Sequence, residues 1–91
     1  MLAPNKVMTF PESIRRVARA DGGVVLDLRR GTIFRVNPVG AKVMDLMEQG
    51  DSLEQITRKL SAEFGIPLST VETDVTEFVE SLKARGVVVS R

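Results

Sequence analysis

The sequence predicts an α+β fold, in which a three-stranded antiparallel meander is followed by three helices. Before residue 37, short β-prone stretches alternate with tight-turn signals; after it, apolar residues recur at helical spacing between Gly and Pro stops. Residues 32–38, Thr-Ile-Phe-Arg-Val-Asn-Pro, mark the change. The first five suit a pleated, half-buried strand, whereas Asn37 is a preferred helix N-cap and Pro38 suits the first helical position.

The composition fits one small domain and removes several classes of chemistry. The chain has 91 residues, 43% hydrophobic and 27% charged, with no Cys and no His. Without Cys there are no disulfides, thiolate metal sites or Cys nucleophiles, and without His the commonest metal ligand and the usual general base are missing. No apolar run approaches the ~20 residues that cross a bilayer, and no signal-peptide pattern opens the chain, so we expect a cytoplasmic protein.

The first strand of the meander is weakly marked. Residues 1–13 show no sustained period and predict a flexible arm, with a short extended piece at 7–10. Residues 15–20 are rich in arginine and predict an edge strand whose charges oppose aggregation. Asp21-Gly22 then predicts a two-residue type I′ hairpin turn, which needs φ > 0 at both central positions.

The second and third strands have a clearer pattern. A strand is predicted at 24–28, and its buried face should comprise Val24, Leu26 and Leu28. Asp27 is expected to point away from that face. A second tight turn at Arg30-Gly31 leads into the third strand, residues 32–36, which is the last of the meander and has a partner on one side only.

Two helices with clear stop signals follow directly. The first is predicted over residues 38–48, with Gly50 as its stop. The second begins near residue 51 or 52, and Gly65 ends it with φ > 0. Pro67 then prevents the helix from resuming.

The third helix is predicted from a capping box, in which Ser69 is followed by Glu72 three residues later. Gly86 closes the helix, and its buried stripe should comprise Val71, Val75, Phe78 and Leu82. Residues 87–89, all Val, predict a brief terminal strand or a tail packed on the sheet.

Three short strands, Asn-Pro opening a helix, two capped helices and an apolar tail together resemble the PqqD family. This family comprises the small peptide chaperones of pyrroloquinoline quinone (PQQ) biosynthesis and the wider recognition elements for the precursors of ribosomally synthesised, post-translationally modified peptides (RiPPs). The resemblance spans about residues 23–89. Its matching residues are Leu26-Asp27-Leu28, Phe34-Arg35-Val36-Asn37, Asp51-Ser52-Leu53-Glu54-Gln55-Ile56, Glu63-Phe64-Gly65, Val71-Glu72-Thr73-Asp74-Val75, Phe78, Leu82 and Gly86-Val87-Val88.

The resemblance implies a winged-helix-turn-helix-like domain over residues 14–91 that has no catalytic activity and no cofactor or metal. Family members bind the leader part of a ribosomal precursor peptide and present it to a modifying enzyme, often a radical SAM enzyme. The peptide adds as an extra strand beside the third strand, in a groove walled by the third helix. The implied partners are therefore a precursor peptide and a modifying enzyme, with neither nucleic acid nor membrane.

The expected binding residues follow from that mode. The free edge of the third strand comprises Thr32, Ile33, Phe34, Arg35 and Val36. About four new backbone hydrogen bonds, each worth a net ~0.5–1.5 kcal/mol, barely offset an association cost of about 4 kcal/mol or more, so side-chain pockets must add affinity. The third helix is the nearest wall, and the residues expected to form it are Glu72, Val75, Thr76, Val79 and Lys83.

Plainer interpretations and two other functions stand beside this one. An edge strand is usually only an edge, Val79 fits ordinary core, and the arginines fit solvated faces, with Arg35 the best candidate to attract an acidic leader peptide. Helix-turn-helix DNA binding is one alternative, although residues 69–85 have four acidic against two basic side chains. A self-pairing assembly module, in which the free edges of two copies join as a homodimer, is the other. No phosphate loop, metal constellation or nucleophile–base pair favours catalysis.

Overall fold

The computed structural model describes residues 4–90 and confirms a meander followed by three helices. The elements in chain order are β1 (Met8–Thr9), β2 (Ile14–Arg19), β3 (Gly22–Asp27), β4 (Thr32–Val36), α1 (Pro38–Glu48), α2 (Leu53–Phe64), α3 (Leu68–Ala84) and β5 (Val89–Ser90). No helix within this part of the chain combines the length and the apolar character needed to span a membrane.

Two separate antiparallel sheets are present. The larger has the strand order β2-β3-β4, with Val25 opposite Phe34 and Val24 opposite Arg35 across the β3–β4 pair. The smaller consists of β1 paired with β5, in the register Met8 to Ser90 and Thr9 to Val89. The closing valine tail therefore forms a brief strand, and its partner is the arm near the N-terminus.

The hydrophobic core joins all three helices to the larger sheet and to the chain ends. The side chains that are most fully buried are Met8, Val25, Val43, Met44, Met47, Ile56, Leu60, Val79, Leu82 and Val87. Phe34 and Val36 of β4 are half-buried and pack against this cluster from one side. Because the edge of the core lies under β4, a ligand beside this strand can reach apolar side chains.

The predicted ends of α1 and α2 are confirmed. The Asn37 side chain caps α1 by accepting a hydrogen bond from the Gly40 N–H at 2.7 Å, and Pro38 occupies the first helical position. α2 ends at Gly65 in the left-handed conformation, with φ of 64°. Its start is fixed by a reciprocal capping box between Ser52 and Gln55, which the sequence pattern also carries.

The prediction of a capping box at the start of the third helix is wrong, because α3 begins at Leu68, one residue before Ser69. Pro67 occupies the N-cap position and no side chain caps this end of the helix, so Ser69 already lies inside the first turn. Proline fixes φ near the helical value and has no N–H to satisfy. The helix therefore starts without the hydroxyl cap that the Ser69–Glu72 spacing predicted.

The contrast between the two serines gives a stability prediction. Ser52→Ala should lower the free energy of unfolding by about 1 kcal/mol, because it removes a formed N-cap. Ser69→Ala, the matched control, should change it by less than about 0.5 kcal/mol, because no cap is lost. Urea unfolding followed by circular dichroism measures both. Equal losses for the two variants would contradict the assignment of the caps.

The first hairpin turn also differs from its prediction. Arg19 pairs with Gly22, so the turn residues are Ala20-Asp21, one position earlier than expected. Within residues 4–90 only glycines have positive φ, which excludes a type I′ turn at Ala20-Asp21. Gly22 has a φ of 131° and starts β3, where a Cβ atom would lie 2.1 Å from the Val36 carbonyl oxygen. The glycine is needed for this close approach of backbones.

The buried face of β3 is the opposite of the predicted one. Gly23 faces α1, since a Cβ atom there would lie 3.9 Å from Ala41, and Val25 and Asp27 share that side of the strand. Leu28 is 59% exposed and lies in the loop before Gly31. Asp27 tolerates burial because its carboxylate accepts hydrogen bonds from the backbone N–H groups of Arg29 and Arg30, each at 3.1 Å.

The part of the arm that the structure describes packs against the helices. The carbonyl oxygens of Pro4 and Lys6 accept hydrogen bonds from the first N–H groups of α2, at 2.8 and 2.9 Å, and Met8 is fully buried. The predicted extended piece at 7–10 corresponds to β1. The arm and the tail thus complete the helical side of the domain, away from the free edge of β4.

Candidate functional site

One edge of β4 has no strand partner within residues 4–90. The strand pairs with β3 on its other side, and both the arm and the tail are occupied in the separate β1–β5 pair. In an antiparallel pair, alternate residues direct their N–H and C=O groups away from the partner strand. β4 therefore presents a row of backbone donors and acceptors at an open edge, where an extended peptide could pair.

An apolar groove of about 460 Å³ runs beside this edge, between β4 and α3. Phe34 and Val36 contribute from the strand, and both are half-buried. Phe78, also half-buried, contributes from the helix, and the rest of the apolar lining comprises Val39, Val43, Leu60, Phe64, Ile66, Val71, Val75 and Leu82. The groove supplies the side-chain pockets that backbone pairing alone lacks.

α3 runs along β4 in the opposite direction. Near its C-terminal end, the Arg85 guanidinium lies over the Phe34 ring, 4.6 Å from the ring centroid, and the Arg85 carbonyl accepts a hydrogen bond from Arg30. Further toward the N-terminus of α3, Phe78 lies against Gly40 of α1, beyond the end of β4. An extended segment that lies along β4 and continues past Val36 would thus follow the helix wall from Arg85 to Phe78.

The two charged side chains of the helix wall lie at opposite ends of the groove. Asp74 and Arg85 both line it, and eleven residues of helix place them roughly 16 Å apart along the axis. Arg85 is held over Phe34 by a cation–π contact. The α3 wall of the groove thus carries an acidic group and a basic group, with the half-buried Phe78 between them.

Gly40 of α1 and Phe78 of α3 both line the groove, and the two residues lie directly against each other. Gly40 is buried in the first turn of α1, and a Cβ atom there would lie 3.0 Å from the Phe78 ring. That distance is shorter than an ordinary carbon–carbon contact, so the Phe78 ring occupies the space of the missing side chain. The close approach accounts for a glycine at a helix position where it costs about 0.5–1 kcal/mol relative to Ala.

Gly40→Ala should therefore weaken peptide binding more than it weakens folding. The methyl group displaces the Phe78 ring toward the groove, whereas the gain in helix propensity offsets the strain, so the free energy of unfolding should change by less than about 1 kcal/mol. Anisotropy of a labelled leader peptide and urea unfolding measure the two effects. In a Gly40→Ala/Phe78→Leu double variant the losses should be non-additive, because the smaller side chain leaves room for the methyl group. Additive losses would contradict this explanation.

The predicted site residues are divided between different places. Phe34, Arg35 and Val36 border the groove together with Val75, and of the three strand residues Arg35 alternates to the outer face of the sheet. Thr32 and Ile33 lie in the same strand and are exposed. Glu72 and Thr76 line a separate depression of about 510 Å³ between α2 and α3.

Val79 and Lys83 lie outside the lining of both the groove and that depression. Val79 is fully buried, in keeping with its alternative interpretation as core, and Lys83 is exposed. Of the helix residues expected to form the wall, only Val75 therefore lines the groove, and it also lines the depression between α2 and α3.

The flank of α3 that lines the groove carries Asp74, Phe78, Ser81 and Arg85. These residues have the same spacing as Glu72, Thr76, Val79 and Lys83. The two sets lie on either side of the buried residues Val71, Val75 and Leu82. Helical periodicity gives the stripe but not which flank meets the strand. Which flank lines the groove depends on the tertiary packing of α3 against the rest of the domain.

The sequence of residues 22–88 matches the family model described as Coenzyme PQQ synthesis protein D (PqqD). The match covers most of the chain. The chain belongs to the PqqD family.

Two solved structures have the fold of this PqqD-family chain. One is described as TbiB1 in complex with the TbiA(beta) leader peptide, with 28% sequence identity, a TM-score of 0.82, and coverage of 87% of this chain and 92% of that one. The other is lasso peptide synthetase B1 complexed with the leader peptide, with 24% identity, a TM-score of 0.84, and coverage of 91% and 98%. No curated protein matches the chain.

Proposed function

We propose that this PqqD-family chain is a non-catalytic adaptor that binds the leader part of a ribosomal precursor peptide and presents it to a modifying enzyme. The peptide adds as a fourth strand beside β4 and places alternate side chains in the groove. The observation that carries the proposal is the unpaired edge of β4 lying directly beside an apolar groove. Membership of the PqqD family and the likeness to a protein solved with its leader peptide support it.

The groove distinguishes β4 from the other free edge of the sheet. Among the residues that the structure describes, β2 also has a strand partner on one side only, but its sequence, Ile-Arg-Arg-Val-Ala-Arg, places three arginines on a strand of six residues. Cationic side chains on an edge strand discourage further pairing. β4 has one arginine in five residues, and its half-buried side chains continue into the groove.

The energetics require that groove. A micromolar complex needs about −8 kcal/mol, and about four backbone hydrogen bonds at a net ~0.5–1.5 kcal/mol each fall short once association entropy is included. Burying two or three apolar peptide side chains, each worth ~1.5–3 kcal/mol, makes up the difference. We therefore assign recognition to Phe34 and Val36 of β4 and to Phe78, Ser81 and Arg85 of α3. Any role of Glu72, Thr76 and Lys83 in peptide binding stays a prediction.

Other parts of the expected function also stay predictions. These are a radical SAM identity for the modifying enzyme, a cytoplasmic location, and pairing of two copies through the same edge. DNA binding is the weaker alternative, because α3 would be the recognition helix and its residues 69–85 have a net charge of −2. Groove binding by such a helix needs positive charge against the phosphates.

A reconstitution followed by mass spectrometry tests the adaptor role. Incubated alone with the precursor peptide encoded beside its gene, the chain should leave the peptide mass unchanged. Added to the modifying enzyme from the same locus, it should accelerate modification of the full precursor but not of a core peptide lacking the leader. A mass change caused by the chain alone, or equal stimulation of the leaderless peptide, would contradict the proposal.

A further inference from the structure

The two faces of β4 differ in chemistry. A peptide strand added beside β4, here called the guest strand, therefore meets different side chains on its two faces. Phe34 and Val36 point toward the groove and are half-buried. Ile33 and Arg35 alternate with them and lie on the outer face of the sheet, where both are exposed, Ile33 by 65%. A guest strand would place its own side chains alternately on the same two faces.

Arg35 has no ionic partner within residues 4–90. Its row across the outer face consists of Val24 of β3 and Val17 of β2. Asp21 and Arg19 line the same shallow depression at the hairpin end, but the structure shows no ion pair between Asp21 and Arg35. The open position in this row is therefore the one that a guest strand fills.

Arg16 of β2 shows how an arginine of this sheet is neutralised when the chain supplies the carboxylates. Its guanidinium pairs with Asp45 and Glu48 of α1, each at 2.9 Å. Arg35 carries the same charge on the opposite face, which α1 does not cover. Charge complementarity therefore favours an acidic side chain on the guest strand directly opposite Arg35.

The neighbouring row on the outer face favours an apolar guest residue. Ile33 pairs across the sheet with Leu26, which is only partly buried, and Leu28 nearby is 59% exposed. A guest residue opposite Ile33 lies two positions from the one opposite Arg35, on the same face. An apolar side chain there removes exposed apolar surface from water.

We propose that β4 selects leader peptides with a carboxylate opposite Arg35, an apolar residue opposite Ile33, and apolar residues at the groove-facing positions between and beside them. This inference rests on the proposed function and specifies the peptide class. In a guest strand antiparallel to β4, the selected residues follow the order apolar, acidic, apolar, apolar from the N-terminus of the peptide. A parallel guest reads apolar–apolar–acidic–apolar, so the order of the selected motif also reports the direction of the added strand.

Selection from a displayed library of random decapeptides tests the inference. Peptides retained by the wild-type chain should be enriched about two- to fivefold in Asp or Glu at the position between two apolar ones, the range expected for an exposed cross-strand ion pair. Arg35→Glu should reverse that preference toward Lys or Arg. Arg15→Glu is the matched control, because Arg15 is exposed on the same face but two strands, β3 and β4, separate it from the guest; this variant should leave the motif unchanged.

The outcomes separate the inference from the function on which it rests. Retained peptides that lose binding to a Ser81→Trp variant bind in the groove beside β4. If such peptides show no acidic preference, or if Arg35→Glu does not reverse it, the inference is overturned and the adaptor function stands. If no retained peptide depends on the groove, both are overturned.

Discussion

Ser81→Trp is expected to lower the affinity for a leader peptide about tenfold or more, which corresponds to roughly 1.4 kcal/mol. Ser81 is exposed on α3 and lines the groove, where its hydroxyl donates to the Phe78 carbonyl of the same helix. An indole there fills space that peptide side chains need, while the core beneath stays untouched. Anisotropy of a labelled leader peptide measures the affinity.

The matched control for this variant is Glu80→Trp. Glu80 is the adjacent exposed residue of α3 but lines neither the groove nor the depression between α2 and α3. The affinity of the Glu80→Trp variant for the peptide should lie within about twofold of the wild-type affinity, a difference of roughly 0.4 kcal/mol. Equal affinity for the two tryptophan variants, both folded by circular dichroism, would show that the peptide lies elsewhere.

Gly22→Ala is expected to have the largest effect on stability, lowering the free energy of unfolding by more than about 3 kcal/mol. The φ of 131° is strained for a residue with a side chain, and the added Cβ would lie 2.1 Å from the Val36 oxygen and 2.8 Å from the Asn37 carbonyl carbon. Both contacts are with backbone atoms at the junction of β4 and α1. Relief requires this junction to move away from β3.

Gly31→Ala separates strain from steric conflict. Gly31 also has positive φ, 67°, but no heavy atom outside its chain neighbours lies within 4 Å of a Cβ built there. Gly31→Ala should lower the free energy of unfolding by about 1–2 kcal/mol, the cost of a left-handed backbone conformation alone. Urea unfolding compares the two variants. A Gly22→Ala protein as stable as Gly31→Ala would contradict the close approach of Gly22 to the β4–α1 junction.

The features that could be predicted from the sequence are those fixed by neighbouring residues. Asn37-Pro38 starts α1 and Gly65 ends α2 through local conformational preferences, and both positions are confirmed. Ser52 with Gln55 is a local signal of the same kind. The pattern Ser69–Glu72 looks equivalent but is overridden by Pro67, which already occupies the N-cap.

The features that could not be predicted depend on packing between distant parts of the chain. Alternation in β3 gives two faces, but packing against distant parts of the chain decides which is buried, and the buried face carries Val25 and Asp27. Burial of the Asp27 carboxylate is tolerated because two backbone N–H groups of the following loop donate hydrogen bonds to it. The groove wall poses the same problem, since the flanks of α3 have equal spacing and only the tertiary fold places Phe78 rather than Thr76 in the groove.

Amide hydrogen exchange with and without a saturating leader peptide is the most direct test of where the guest strand binds. In the complex, alternate amides of Thr32–Val36 should exchange at least about tenfold more slowly, because those N–H groups become hydrogen-bonded to the guest, while the amides of Ile14–Arg19 keep their rates. Slower exchange along Ile14–Arg19, or around Glu72 and Thr76, with Thr32–Val36 unchanged would contradict strand addition at β4.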